Sequence, residues 1–191
     1  MKKQKNLSRS IFWVALITLL LLSVPMVAMQ FTDEVKWDAA DFFIMGSLIF
    51  TTGLSYALLT RASSNIISRV AFAIAIGSTF LLIWVNIAVG LIGSGPNAAN
   101  LMYAVVVAIV IIGTFISRFT TKGMERVMFT AAIALVLFAL IQLLAKMNRY
   151  PGSSVTEILA VNAFFATLFA VAGLLFRYIT STQSPNAKIS L

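Results

Sequence analysis

The chain has no cysteine and no histidine among its 191 residues. That pair of absences excludes thiolate and imidazole metal sites, bis-histidine haem, Ser-His triads and redox disulfides together. No metal and no cofactor is expected. Acids are scarce as well, six against fourteen Lys and Arg, and charged residues make up only 10% of the chain. Apolar residues supply 60%. Such a composition lies far outside that of soluble proteins and makes lipid the main solvent. A net charge of +8 in a soluble chain would point to nucleic acid. Here no basic stretch is long enough to follow a phosphate backbone, so no nucleic-acid partner is expected.

What is present is a series of long apolar runs. A helix needs about 20 apolar residues to cross a hydrocarbon core about 30 Å thick. Six stretches qualify, at 11–29, 39–59, 70–92, 101–116, 127–145 and 158–176. The fourth is shortest and reaches full length only if Ser117 and Arg118 continue its helix. The predicted fold is therefore an all-α integral membrane protein, a six-transmembrane helical bundle. Its predicted parts are a tail at 1–10, a membrane domain at 11–178 and a second tail at 179–191. The first span also begins as a signal peptide would, but its apolar run is long, and cleavage after Ala28 would put Met26 where a small residue is required. An uncleaved anchor is expected.

Orientation follows from the basic residues. With the N-terminus inside, the cytoplasmic segments hold Lys2, Lys3, Lys5, Arg9, Arg61, Arg69, Arg118, Lys122, Arg126, Arg177 and Lys188, and the outer loops only Lys36, Lys146 and Arg149. Eleven against three is a strong positive-inside bias, which predicts both termini in the cytoplasm and three outward-facing hairpins. Aromatic residues mark both boundaries: Trp13, Tyr56 and Tyr178 inside, Trp37, Tyr103 and Tyr150 outside.

The return helix of each hairpin begins with a polar pair three residues apart: Asp38 and Asp41, Asn97 and Asn100, Ser154 and Glu157. This spacing lets one side chain cap an amide while the other reaches back, and only Ser154 with Glu157 matches the strict capping box. Pro25 removes a backbone bond within the first span and predicts a kink there. The small residues Gly46 with Gly53, and Ala73 with Gly77, are spaced for close helix contact, most simply within the monomer. No repeat supports an inverted-repeat transporter.

No charged residue sits near the centre of a span, which argues against a proton relay or voltage sensor. The membrane-embedded amides are Asn86, Gln142 and Asn162, each about 6 to 9 Å inside the outer end of its helix. Together with Trp84, Asn100 and Tyr103 they form a candidate ligand-binding layer in the outer half, with Asp41 and Glu157 at its outer rim. Two readings compete. The amides tie helices together, at about 0.6 to 2 kcal/mol per hydrogen bond, or they line a pocket open to the outer face. The tie is the more economical. At the inner face, Arg61, Arg69, Arg118, Lys122, Arg126 and Arg177 offer a surface for anionic lipid heads, although positive-inside retention also explains them.

Catalytic residues are not expected. No Ser or Thr has a neighbouring base, and capping accounts for Asp41 and Glu157, the only carboxylates suited to acid-base work. Thr120, Thr121 and Gly123 beside Lys122 do not have the glycine spacing of a phosphate loop.

The segment WVNIAVGLIGS at 84–94, leading to NLMY at 100–103, and NAFF at 162–165, followed by the LFR that ends at Arg177, resemble a group of small uncharacterised bacterial inner-membrane proteins. The resemblance implies a bacterial plasma (inner) membrane location and brings no assigned activity. Members of that group often carry acids where this chain has Gly95 and Pro96. The expected function is an accessory or ligand/lipid-binding membrane component, with a membrane protein or a second copy of the chain as partner. The alternative is a small-solute transporter or channel using the polar layer, and a third, less economical reading is an intramembrane enzyme with Asp41 and Glu157 as its carboxylates.

Overall fold

The computed structural model describes residues 7–61, 63, 65–93 and 97–183. Lys2, Lys3, Lys5, Gly95, Pro96 and Lys188 lie outside these. The described residues are all-helical, with six helices long and apolar enough to cross a membrane. In an apolar solvent a backbone polar group has no water to bond, so an isolated apolar run satisfies its own amides by coiling.

The chain divides into two compact units, 1–63 and 64–191. The first is a hairpin of α1 (Leu7–Phe31) and α2 (Ala39–Thr60). Pro25 lies inside α1, which continues for more than a turn beyond it. Close approach of the two helices depends on glycine. A Cβ at Gly46 would fall 3.1 Å from Leu22 Cδ1, and one at Gly53 would fall 2.9 Å from Val14 Cγ1. At the start of α2 the Asp41 amide donates to Asp38 Oδ1 at 2.9 Å and the Asp38 amide to Asp41 Oδ2 at 3.0 Å. The reciprocal box thus forms with two aspartates, since either carboxylate accepts from an amide as well as a hydroxyl does.

The second unit holds α3 (Ile66–Ala88), α4 (Leu101–Ile116), α5 (Thr121–Leu144) and α6 (Val155–Gln183), with short 3-10 turns at Ala98–Asn100 and Met147–Arg149. Its core includes Leu82, Val106, Met128, Leu135, Phe169 and Phe176, all buried. Glycine again sets the closest approaches. A Cβ at Gly113 would lie 2.9 Å from Val127 Cγ2 between α4 and α5, and one at Gly173 would lie 3.3 Å from the Phe129 ring between α6 and α5. Phe72 of α3 meets Phe176 of α6 edge-on, ring centroids 5.0 Å apart. The other small pair is used differently: Ala73 and Gly77 are exposed, and nothing lies within 4 Å of a Cβ built at Gly77.

Several helix ends differ from the sequence reading. α3 stops at Ala88, four residues short of the predicted Ile92, because Gly90 and Gly93 adopt φ of 72° and 71° and turn the chain back. α4 does not continue through Ser117 and Arg118. Arg118 and Phe119 take left-handed φ of 50° and 58°, which end the helix. The missing length comes from the opposite end, where the Ala98–Asn100 turn extends the span to 19 residues. α1 and α6 reach into both predicted tails.

Because α4 joins α5 through residues 117–120, and Phe72 packs on Phe176, one end of the second unit gathers Arg69, Arg118, Lys122, Arg126 and Arg177. We call it the basic end. The opposite end gathers the buried amides.

Candidate functional site

At the amide end three helices contribute one fully buried cluster. Tyr103 from α4, Gln142 from α5 and Asn162 from α6 are 1%, 0% and 1% exposed. Asn162 Nδ2 donates to Ile158 O, one turn earlier on its own helix, at 2.8 Å and to Gln142 Oε1 at 2.9 Å. These short bonds use its two hydrogens, leaving a longer 3.3 Å approach to the Tyr103 hydroxyl. Gln142 Nε2 donates to the same hydroxyl at 3.3 Å. A triangle of side chains therefore closes across α4, α5 and α6. Each polar group is removed from lipid by its neighbours, as burial in an apolar medium requires.

The triangle is incomplete by one acceptor. Asn162 Oδ1 is buried without a hydrogen-bond partner. Among the described residues no acceptor is seen for the hydroxyl hydrogen of Tyr103 or the second amide hydrogen of Gln142.

Asn86 and Asn100 form a second group. Asn100 is 9% exposed, and its Oδ1 accepts from the amides of Leu91 and Ile92 at 2.9 and 2.8 Å. Its Nδ2 donates to Ile92 O at 3.3 Å. One side chain thus replaces the helix bonds that Leu91 and Ile92 give up where α3 ends, and holds both apolar side chains in the core. Asn86 Nδ2 donates to the carbonyl of Asn100 at 3.3 Å, while Asn86 Oδ1 is buried and unpartnered. The loop is further tied by the Gly93 amide, which donates to Ser153 Oγ at 2.7 Å.

Of the six residues read as one layer, Tyr103, Gln142 and Asn162 thus meet directly. Asn86 of α3 and Asn100 meet each other, Asn100 lying three residues before Tyr103 in the 3-10 turn that leads into α4. Trp84 joins neither. It is exposed and stacks on Phe80 at 6.1 Å. Tyr103 is a core residue here, in contrast to its predicted place in an aromatic belt. Of the rim residues, Asp41 belongs to the reciprocal box in the first unit, whereas at the start of α6 Ser154 is the cap, its Oγ accepting from the Glu157 amide at 3.1 Å, and among the described residues no return bond to the Glu157 carboxylate is seen. Asn97 caps the 3-10 turn through the Ala99 amide at 3.0 Å. Sequence reasoning missed Ser153, Leu91 and Ile92. The glycines at 90 and 93 were the available signal that the third helix ends early.

Other features offer less. Among the described residues no group of three or more His, Cys, Asp and Glu is placed to hold a metal. The groove of about 410 Å³ between α1 and α2 is lined mainly by apolar residues such as Leu19, Phe42 and Phe50. Its Thr18 hydroxyl already donates to Val14 O at 2.8 Å.

Comparison with protein-family models, with curated proteins and with solved structures gives no match.

Proposed function

We propose that the chain is a non-enzymatic, multi-pass component of the bacterial plasma membrane, an accessory or lipid-binding subunit with both termini in the cytoplasm, whose buried amides are a structural latch. One observation carries this reading: Tyr103, Gln142 and Asn162 are closed off from the surface and bonded to one another. A polar layer that spends its hydrogen bonds between helices holds the bundle together. Its partners are then sought on the outside of the helices and at the basic end, among membrane proteins, further copies of the chain and anionic lipid. The eleven-to-three distribution of basic residues supports the orientation.

Thermal unfolding of the purified protein tests the latch. Asn162→Leu removes the donor to Gln142 and Ile158, and the expected loss is about 2 kcal/mol. Gln142→Leu behaves similarly. Unchanged stability in both variants would falsify the reading.

A second reading, a transporter or channel, is favoured by the unpartnered carbonyl oxygens of Asn86 and Asn162, which suit a hydrogen-bond donor passing through the layer. It requires solute flux in proteoliposomes that Asn86→Ala abolishes. No flux across a broad panel counts against it.

A further inference from the structure

Negative charge in this chain is concentrated in one place. Four of its six acids, Asp33, Glu34, Asp38 and Asp41, fall within nine residues at the turn from α1 into α2, where Lys36 is the only cation. Four against one leaves the turn at −3 in a chain that carries +8 overall. All four acids are exposed. Capping accounts for Asp38 and Asp41, each of which accepts one amide through one carboxylate oxygen. Asp33 and Glu34 stand outside that box, and among the described residues none of the four is in an ion pair. Like charges so close in sequence repel one another, and the turn attracts a cation.

The groove between α1 and α2 begins beside this turn. Phe42, one of its lining residues, meets the Trp37 ring edge-on with centroids 5.3 Å apart, and Trp37 stands between Lys36 and Asp38. From Phe42 the groove follows α2 to Phe50, a length of about 12 Å at 1.5 Å per residue. The small residues Ala15, Gly46 and Ser47 leave the hollow, and Leu19 borders it from α1. Its volume of about 410 Å³ falls within the range of about 300 to 1,000 Å³ typical of ligand sites. Its lining does not suit a polar solute. The Thr18 hydroxyl is occupied by Val14 O, and the only other lining hydroxyl is that of Ser47. An apolar slot that starts at an acidic turn fits an apolar chain with a cationic end.

We propose that this groove seats an acyl chain of a phospholipid whose headgroup bears a primary ammonium, the phosphatidylethanolamine class. Such an ammonium carries three N–H donors, as lysine does, for the carboxylate oxygens that capping leaves free. Lys36, among the acids, offers a donor to the phosphate. A headgroup with a phosphate and no ammonium, such as that of phosphatidylglycerol, meets a turn of net like charge instead. The occupant is therefore a zwitterionic lipid, distinct from the anionic lipid proposed for the basic end. The site rests on the membrane reading above, since α1 and α2 must lie in lipid, but not on the latch or the orientation.

The full chain is purified in neutral detergent, and retention of phosphatidylethanolamine and phosphatidylglycerol with identical acyl chains is compared by native mass spectrometry. Phosphatidylethanolamine is expected to be retained about five-fold more strongly. Asp33→Asn combined with Glu34→Gln, which leaves the capping box in place, is expected to remove most of that preference. Ser47→Phe, which fills the hollow from an exposed position, is expected to weaken phosphatidylethanolamine retention about ten-fold. Where Ser47→Phe does not fold, Ala15→Leu blocks the same hollow from α1. Arg126→Gln at the basic end is expected to leave phosphatidylethanolamine retention unchanged. Equal retention of the two lipids, or a preference for phosphatidylglycerol, overturns the proposal and leaves the lipid-binding reading standing. Retention of neither lipid overturns both. Phosphatidylethanolamine retention that survives a filled hollow puts the lipid elsewhere and overturns the groove as its seat. A dimer that Ser47→Phe disrupts, without any lipid preference, identifies a second copy of the chain as the occupant and likewise overturns the proposal.

Discussion

Asn100 shows how much one side chain can organise in this protein. Three of its hydrogen bonds go to backbone groups of Leu91 and Ile92, so it acts as a detached helix cap eight and nine residues away along the chain. Replacing it with leucine leaves two buried amides unbonded, and a loss of about 2 to 5 kcal/mol is expected in chemical or thermal unfolding. Substitution of Asn97, which caps through a single local bond, is expected to cost about 1 kcal/mol. A double-mutant cycle between Tyr103→Phe and Gln142→Leu measures the triangle itself. A coupling of about 1 kcal/mol is expected, and additive effects would show that the 3.3 Å bond contributes nothing. The amides of the cluster were legible in the sequence because polar side chains are rare within apolar runs. Their pairing was not, since it depends on helix rotation that a single chain of letters leaves open.

Among the helices, glycine decides where two backbones approach. A methyl at Gly113 would press on the branched Val127 side chain, which has no flexible end to swing away. Gly113→Ala is expected to destabilise the protein by about 1 to 3 kcal/mol, with partial recovery on adding Val127→Ala. Gly77→Ala places its methyl in open space and is expected to change stability by less than about 0.5 kcal/mol. Thermal unfolding of the three variants side by side distinguishes the sites. Sequence spacing flagged Gly77 and passed over Gly113, because a small-residue pair announces a possible contact only when its face turns toward a neighbour. The same limit explains the fourth span. Nothing in Ser117, Arg118 and Phe119 forbids a helix, yet the turn into α5 is stitched by Ser117 Oγ to Thr114 O at 2.9 Å and Thr120 Oγ1 to Ser117 O at 2.9 Å. Those local bonds hold two residues in left-handed conformations that the sequence alone would not suggest.

For the whole molecule, the proposed orientation is testable because the chain has no cysteine of its own. Thr156→Cys, at the exposed start of α6, is expected to react with a membrane-impermeant maleimide added to intact cells. Lys122→Cys is expected to react only after permeabilisation, and the reverse pattern would invert the proposed topology. The existence, number and approximate limits of the six helices followed from the sequence, because backbone groups in an apolar medium have one general solution and apolar length reveals where it applies. The exclusion of Cys and His chemistry followed in the same way, since an absent side chain is absent in every conformation. Which polar groups meet was decided only in the tertiary structure. It turned Tyr103 inward to Gln142 and Asn162, left Trp84 outside, folded Leu91 and Ile92 back beneath Asn100, and left Arg69 Nε buried without an acceptor. Each outcome depends on the rotation and packing of helices, which are set by side-chain shape and long-range contact rather than by local composition.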